Sequence, residues 1–306
     1  MKPVAPSTPT LKRESAMDMA LAEPAIPVDL RLHPCDLQGG IFTGLAQLHR
    51  QSASSASKAM LKIQVNLTSP RRTLYLEAIS RMHGVEAVEK NADAFVTDTI
   101  PDRSLPALID HPHKLSLDQL RELRGAPTMP AHQWRYAPNV IPLQESRLRG
   151  QLGEPGLLRI HHWLTAETCP TSLAFHQVDL SHWFFSGKPS SRHSHSRSDY
   201  LQLHLGYPDS GMSLIDIATN RAGSNDYYSM HLIGSHGAAY ADDHENSHLL
   251  LGRAGLHSLI PPANEIITIR NMLEEFLNGI IEDRPWDVTP EDTLNALTTV
   301  TEGADA

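Results

Sequence analysis

His176 and Asp179 stand three residues apart in TSLAFHQVDLSHWFFSGKP (171–189), ahead of an aromatic run and a Gly-Lys-Pro stop. A histidine that titrates near neutrality suits proton movement on a hydroxyl or carbonyl oxygen. A second chemical signal is the run Gly39-Gly40-Ile41-Phe42-Thr43-Gly44. In the G-x-G-x-x-G frame of a dinucleotide-binding turn, Gly39 and Gly44 hold the outer places and Ile41 the middle one. A β-branched side chain there would push a pyrophosphate off the helix N-terminus. His244-Glu245-Asn246-Ser247-His248 satisfies the H-E-x-x-H zinc pattern, but Asn246 and Ser247 are poor helix residues, so no metal site is expected.

The elements that must position these residues change character along the chain. VDLRLH (28–33) reads as a strand, 37–51 as a glycine-opened helix, LKIQVNL (61–67) as a second strand and 69–84 as a helix. DAFVTDTIP (93–101) is a third strand, and LSLDQLREL (115–123) a helix. Strand and helix alternate as a parallel sheet requires. Later segments form hairpins instead, at 200–218 about Pro-Asp-Ser-Gly and at 230–241 about Gly234 and Gly237. Apolar residues from Ile266 to Ile280 mark a helix over 264–281, and Thr289-Pro290-Glu291-Asp292 reads as a helix cap. The motif SSRHSHSRS around His193 and His195 reads as a polar loop.

The fold class is therefore α/β plus α+β. A disordered tail (1–26) precedes a shortened Rossmann-like domain (27–130), and a domain with an open, mainly antiparallel sheet and helices follows (131–300). A formal charge of −9 argues against nucleic acid or anionic membrane as partner. Two cysteines, Cys35 and Cys169, make no disulfide framework and point to the cytoplasm.

Taken with WRYAP (134–138), GQLGEPGLLRIHHW (150–163), LIGSHGAAYADD (232–243) and VTPEDTLNAL (288–297), the 171–189 stretch resembles the second domain of the Gfo/Idh/MocA oxidoreductases. The resemblance covers about half the chain. It implies hydride transfer between NADP or NAD and a sugar, polyol or related hydroxy compound. His176 falls on the family's histidine, while Ser172 holds the place of its catalytic aspartate. Asp110-His111-Pro112 replaces the family's Glu-Lys-Pro; in a second frame Glu89-Lys90-Asn91 is that motif and Lys90 keeps the lysine. The implied catalytic set is His176, His111 and Lys90. Asp179, Arg135 and Ser172 are implied at the substrate.

For the cofactor, Gly39 and Gly44 would serve the pyrophosphate. If 61–67 is the second strand, no carboxylate closes it, and Ser69, Arg71 and Arg72 would take a 2′-phosphate, favouring NADP. Thr99 and Pro101 would border the cofactor after the third strand. The eroded positions imply impaired activity, or a non-catalytic binding or scaffold homologue. Either would be a homo-oligomer built through the C-terminal sheet, the latter beside an active paralogue.

Overall fold

The computed structural model describes residues 60–302 apart from 69, 102–103, 210, 224–225, 243–247, 253–254 and 261–263, and only the backbone of 242, 248–252 and 255–260. The expected strand at 28–33, the turn with Gly39 and Gly44, Ser69 and most of the 244–248 motif lie outside the described residues.

Five short strands make a parallel sheet: β1 (Leu61–Asn66), β2 (Val85–Ala87), β3 (Ala94–Thr97), β4 (Ala107–Ile109) and β5 (Thr128–Pro130), in the order β2-β1-β3-β4-β5. This is a doubly wound order whose direction reverses between β1 and β3. The strand read as second therefore takes the first strand's place, with β2 on one side and β3 on the other. The carboxylate that seemed missing after the second strand is present just after β2, as Glu89. Only residues 88–93 carry the chain from β2 past β1 to β3, far fewer than an ordinary parallel crossover uses.

Both faces of this sheet are covered, as an all-parallel sheet demands. Helices α1 (Arg71–Ser80) and α5 (Glu265–Ile281) seal one face, packing Tyr75, Ile79, Ile269, Leu273 and Phe276 on Ile63, Val96 and Leu108. The other face, through Ile109, meets Leu120 of α2 (Leu117–Glu122) and Leu294 of α6 (Pro290–Thr301). The chain's last two long helices thus return to the first sheet. The expected cap is found at α6: the Thr289 side chain accepts from the Asp292 N–H, and Asp292 accepts from the Thr289 N–H.

The second sheet has eight strands: β6 (Pro155–Trp163), β7 (Ser191–Arg197), β8 (Tyr200–Gly206), β9 (Met212–Ala218), β10 (Tyr227–Gly234), β11 (Ala238–Asp242), β12 (His248–Gly252) and β13 (Gly255–Ile260). Their order is β13-β12-β11-β10-β6-β9-β8-β7, and β6–β9 is its one parallel pair. The expected hairpins are β8–β9 and β10–β11. The segment read as a polar loop is instead strand β7, because seven consecutive residues pair with β8. Helices α3 (Ile141–Leu148) and α4 (Pro170–Phe184) pack on the inner face, where Leu180 and Phe184 meet Leu158, Ile160 and Met230. Ala174, Phe175 and Val178 of the same helix meet Leu203 and Ile215. So α4 lies against the second sheet and carries His176 and Asp179.

Candidate active site

The ends of β4 and β5 bring three histidines, a tryptophan and an arginine toward α4. Directly after β4 come Asp110, then His111 in the left-handed region (φ 49°), then Pro112, which opens a turn of 3-10 helix with His113. This sharp exit turns His111 and His113 back along the sheet edge. After β5, His132, Trp134 and Arg135 follow within five residues of Pro130.

His176 projects from α4 into the resulting cluster. Its ring stacks on Trp134 at 5.2 Å, and His113 meets it edge-on at 5.3 Å. His111 stands 5.4 Å beyond His113. On the opposite wall, β6 and β10 contribute His162 and Tyr228, which contact Trp134 edge-on at 5.4 and 5.1 Å. Among the described residues His176 has no hydrogen-bond partner in the protein, and it is half-buried between these rings.

Burial dominates the electrostatics here. It pushes His176 well below the ordinary histidine value, with the neighbouring His113 and His132 adding to the effect and Asp179 opposing it. Burial, then His111, brings His113 down to about 4; burial likewise brings His162 to about 4. His111 is lowered less, because Asp110 offsets part of its burial. Burial thus favours the neutral ring at His111, His113, His162 and His176.

Asp179, expected at the substrate, is occupied by the protein itself. Arg135 donates to it twice, from Nε at 3.0 Å and Nη2 at 2.5 Å, and His132 Nδ1 lies 2.8 Å from Asp179 Oδ1. His132 Nε2 is in turn 2.7 Å from Thr293 Oγ1 of α6. His132, Arg135 and Asp179 are all buried. Burial alone would raise the Asp179 carboxyl, yet Arg135 and His132 hold it well below the usual carboxylate range. Ser172 is exposed on the first turn of α4, where its hydroxyl donates to the Cys169 carbonyl at 2.7 Å.

The cofactor positions divide similarly. Arg71, the first residue of α1, reaches across the carboxyl ends of the strands. Its Nε and Nη2 donate to the two Asp110 oxygens at 3.1 and 2.9 Å, Nη2 also to Gln133 at 3.1 Å, and Nη1 to Glu265 at 2.7 Å. Asp110 accepts the Tyr75 hydroxyl as well, at 3.0 Å. Arg71 is therefore engaged elsewhere than a 2′-phosphate would require, and Arg72 is paired with Glu89 at 2.7 Å. Thr99 follows β3 at the reversal point, its hydroxyl 3.0 Å from that of Thr97, with Pro101 next on the same edge. Lys90 is exposed in the 88–93 link beside β1, whereas His111 follows β4 on the other side of β3; the structure does not bring them together.

Sequence reasoning missed His113, His132, His162 as a definite cleft residue, and Gln177. The last is fully buried, its amide nitrogen 2.8 Å from His162 Nδ1 and its amide oxygen without a partner among the described residues. The available signal was position: His113 and His132 each fall within four residues of a short parallel strand's carboxyl end, the edge where such sheets bind ligands.

No family model matches the sequence, and no curated protein sequence does. Solved structures do match. An oxidoreductase from Agrobacterium radiobacter, solved with NAD+, L-tartaric acid and magnesium, is 12% identical, with TM-score 0.66 over 81% of this chain and 96% of its own. UDP-N-acetylglucosamine 3-dehydrogenase from Acidithiobacillus ferrooxidans is 15% identical, with TM-score 0.64 over 81% and 97%. The myo-inositol 2-dehydrogenase from Lactobacillus plantarum is 14% identical, with TM-score 0.63 over 78% and 95%. The chain shares the fold of these dehydrogenases, a parallel sheet with helices beside a second, mostly antiparallel sheet, which is the fold that the resemblance carried by residues 134–297 implies.

Proposed function

We propose that this chain is an oxidoreductase that works with NAD or NADP on a sugar, polyol or related hydroxy compound. The observation that carries the reading is the run of ring contacts from His111 through His113 to His176 beside the carboxyl edge of a doubly wound sheet. The similar folds compared above, including an NAD+ complex and sugar-nucleotide and inositol dehydrogenases, support it.

A dinucleotide here would be met by side chains already paired within the protein, Arg71 with Asp110 and Glu265 and Arg72 with Glu89, rather than by a glycine cradle. The turn from Asn66 to Arg72 contains no glycine, and Pro70 at its helix end has no N–H to offer. In compensation, Arg71 and Arg72 open a helix whose first turn has no acidic residue, and Glu89 after β2 suits a ribose diol. A cofactor held this way binds weakly, which is the sense in which the activity is impaired. When bound, the nicotinamide supplies hydride chemistry at the substrate carbon.

The chain's own part is the proton. His176, neutral and without a protein partner among the described residues, accepts it from the substrate hydroxyl, or returns it in the opposite direction. His111 and His113 line the same side of the cleft and can hydrogen-bond neighbouring hydroxyls. Trp134 covers one face of His176 and keeps water from that side. Arg135 and Asp179 act as positioning residues, fixing α4 against the β5 end.

Titration with NADH and NADPH, followed by nicotinamide fluorescence, tests the proposal. Saturable binding of either, with turnover lost in His176→Ala at nearly unchanged cofactor affinity, supports it; no binding at millimolar concentration refutes it. The glycine-free turn favours a second reading, a non-catalytic binder of the same small molecules, and that result would select it. In both readings the chain assembles as a homo-oligomer through the outer face of the second sheet.

A further inference from the structure

Arg71 is held by two unequal anions. Asp110, 1% exposed, takes Nε and Nη2 in a two-pronged contact and is itself fixed by Tyr75. That fork is directional and sheltered from solvent. Nη1 instead meets Glu265, the first residue of α5, whose side chain is 55% exposed. An exposed pair of this kind contributes at most about 1 kcal/mol and is screened by salt. The Asp110 fork therefore fixes the guanidinium in place, while the Glu265 contact can be exchanged.

The place matters as much as the strength. Arg71 begins the helix that follows β1 and reaches Asp110 after β4, so its guanidinium spans the carboxyl edge at the point where strand order reverses. Ligands of doubly wound sheets lie along that edge. With no glycine between Asn66 and Arg72, a pyrophosphate there finds no glycine cradle, and Arg71 is a cation aimed across the crevice.

We propose that Arg71 is the phosphate-binding residue of this chain and that Glu265 is its resident counter-ion, exchanged for the pyrophosphate of an incoming dinucleotide. The step is an exchange of ionic contacts in which no covalent bond changes. It rests on the oxidoreductase reading for the dinucleotide, but the anion site itself can be probed separately.

Calorimetric titration of the full chain with inorganic pyrophosphate, and fluorescence titration with NADH and NADPH, are compared for the wild type, Glu265→Gln and Asp118→Asn. The last removes the same charge from an exposed site on α2. Glu265→Gln should tighten pyrophosphate and the dinucleotide by about threefold to fivefold, and Asp118→Asn should not. Equal pyrophosphate affinity in Glu265→Gln and the wild type overturns the exchange, as does equal tightening in both variants. If pyrophosphate tightens in Glu265→Gln alone while no protein binds NADH or NADPH, the anion site stands and the oxidoreductase reading falls.

Discussion

At the scale of single residues, the spacing of His176 and Asp179 carried two roles of different kinds. The histidine faces the cleft, while the aspartate is enclosed by Arg135 and His132. Removing one partner of a buried pair leaves the other uncompensated, at a cost of about 3–5 kcal/mol. Asp179→Asn should lose stability on that scale in urea unfolding, and the double variant Asp179→Leu with Arg135→Met should lose markedly less. Acid acts through the histidines. Burial brings His113, His162 and His182 to about 4 in the folded protein, against about 6.5 unfolded. The unfolded chain then binds more protons between those values, so stability is full above about pH 6.5 and falls as pH drops toward 4. Melting temperatures across that range should decline, and His182→Gln should flatten the decline; a flat wild-type profile would contradict it. His176 was legible because its neighbours in sequence are also its helix. His132 and His113 were not, since their importance comes from which strand ends lie together.

Elements were read well where local chemistry decides them. Helix α5 follows its apolar stripe, and α6 follows its Thr-Pro-x-Asp cap. Strand order was not legible, because pairing across the sheet is a long-range choice: 61–66 is flanked by β2 and β3 whatever its own composition. Likewise His193 and His195 lie on a strand because β8 offers an edge. Within α5, Gly279 has a local purpose. A Cβ there would fall 2.3 Å from Trp286 Nε1, and that indole stacks on Phe276 and donates to its carbonyl at 2.9 Å. Gly279→Ala should cost about 1–3 kcal/mol by displacing the ring, seen as a lower melting temperature with red-shifted tryptophan emission. Unchanged emission would mean that Trp286 is not the obstacle.

Across the molecule, the described residues include one large surface with no covering layer among them. Helix α4 packs on the inner face of the eight-stranded sheet, and no described helix contacts its outer face. Residues alternate across the strands, so Leu157, Trp163, Met212, Asp216, Tyr227 and Ile233 share that outer side. Met212 is 45% and Ile233 38% exposed, an unusual cost for a strand face left in water. The same face carries the buried indole N–H of Trp163, which has no hydrogen-bond partner among the described residues. A second copy laid against this face would cover the apolar rows, and twofold symmetry would set each row against its own kind. Sedimentation velocity at high micromolar concentration should therefore show a homo-oligomer, and Met212→Lys with Ile233→Lys should return it to a monomer. Circular dichroism should show both proteins folded, since the substituted positions lie outside the core. A wild type that sediments as a monomer at every concentration would remove the oligomer. The cleft would be left intact, because His176 faces the opposite side of the sheet.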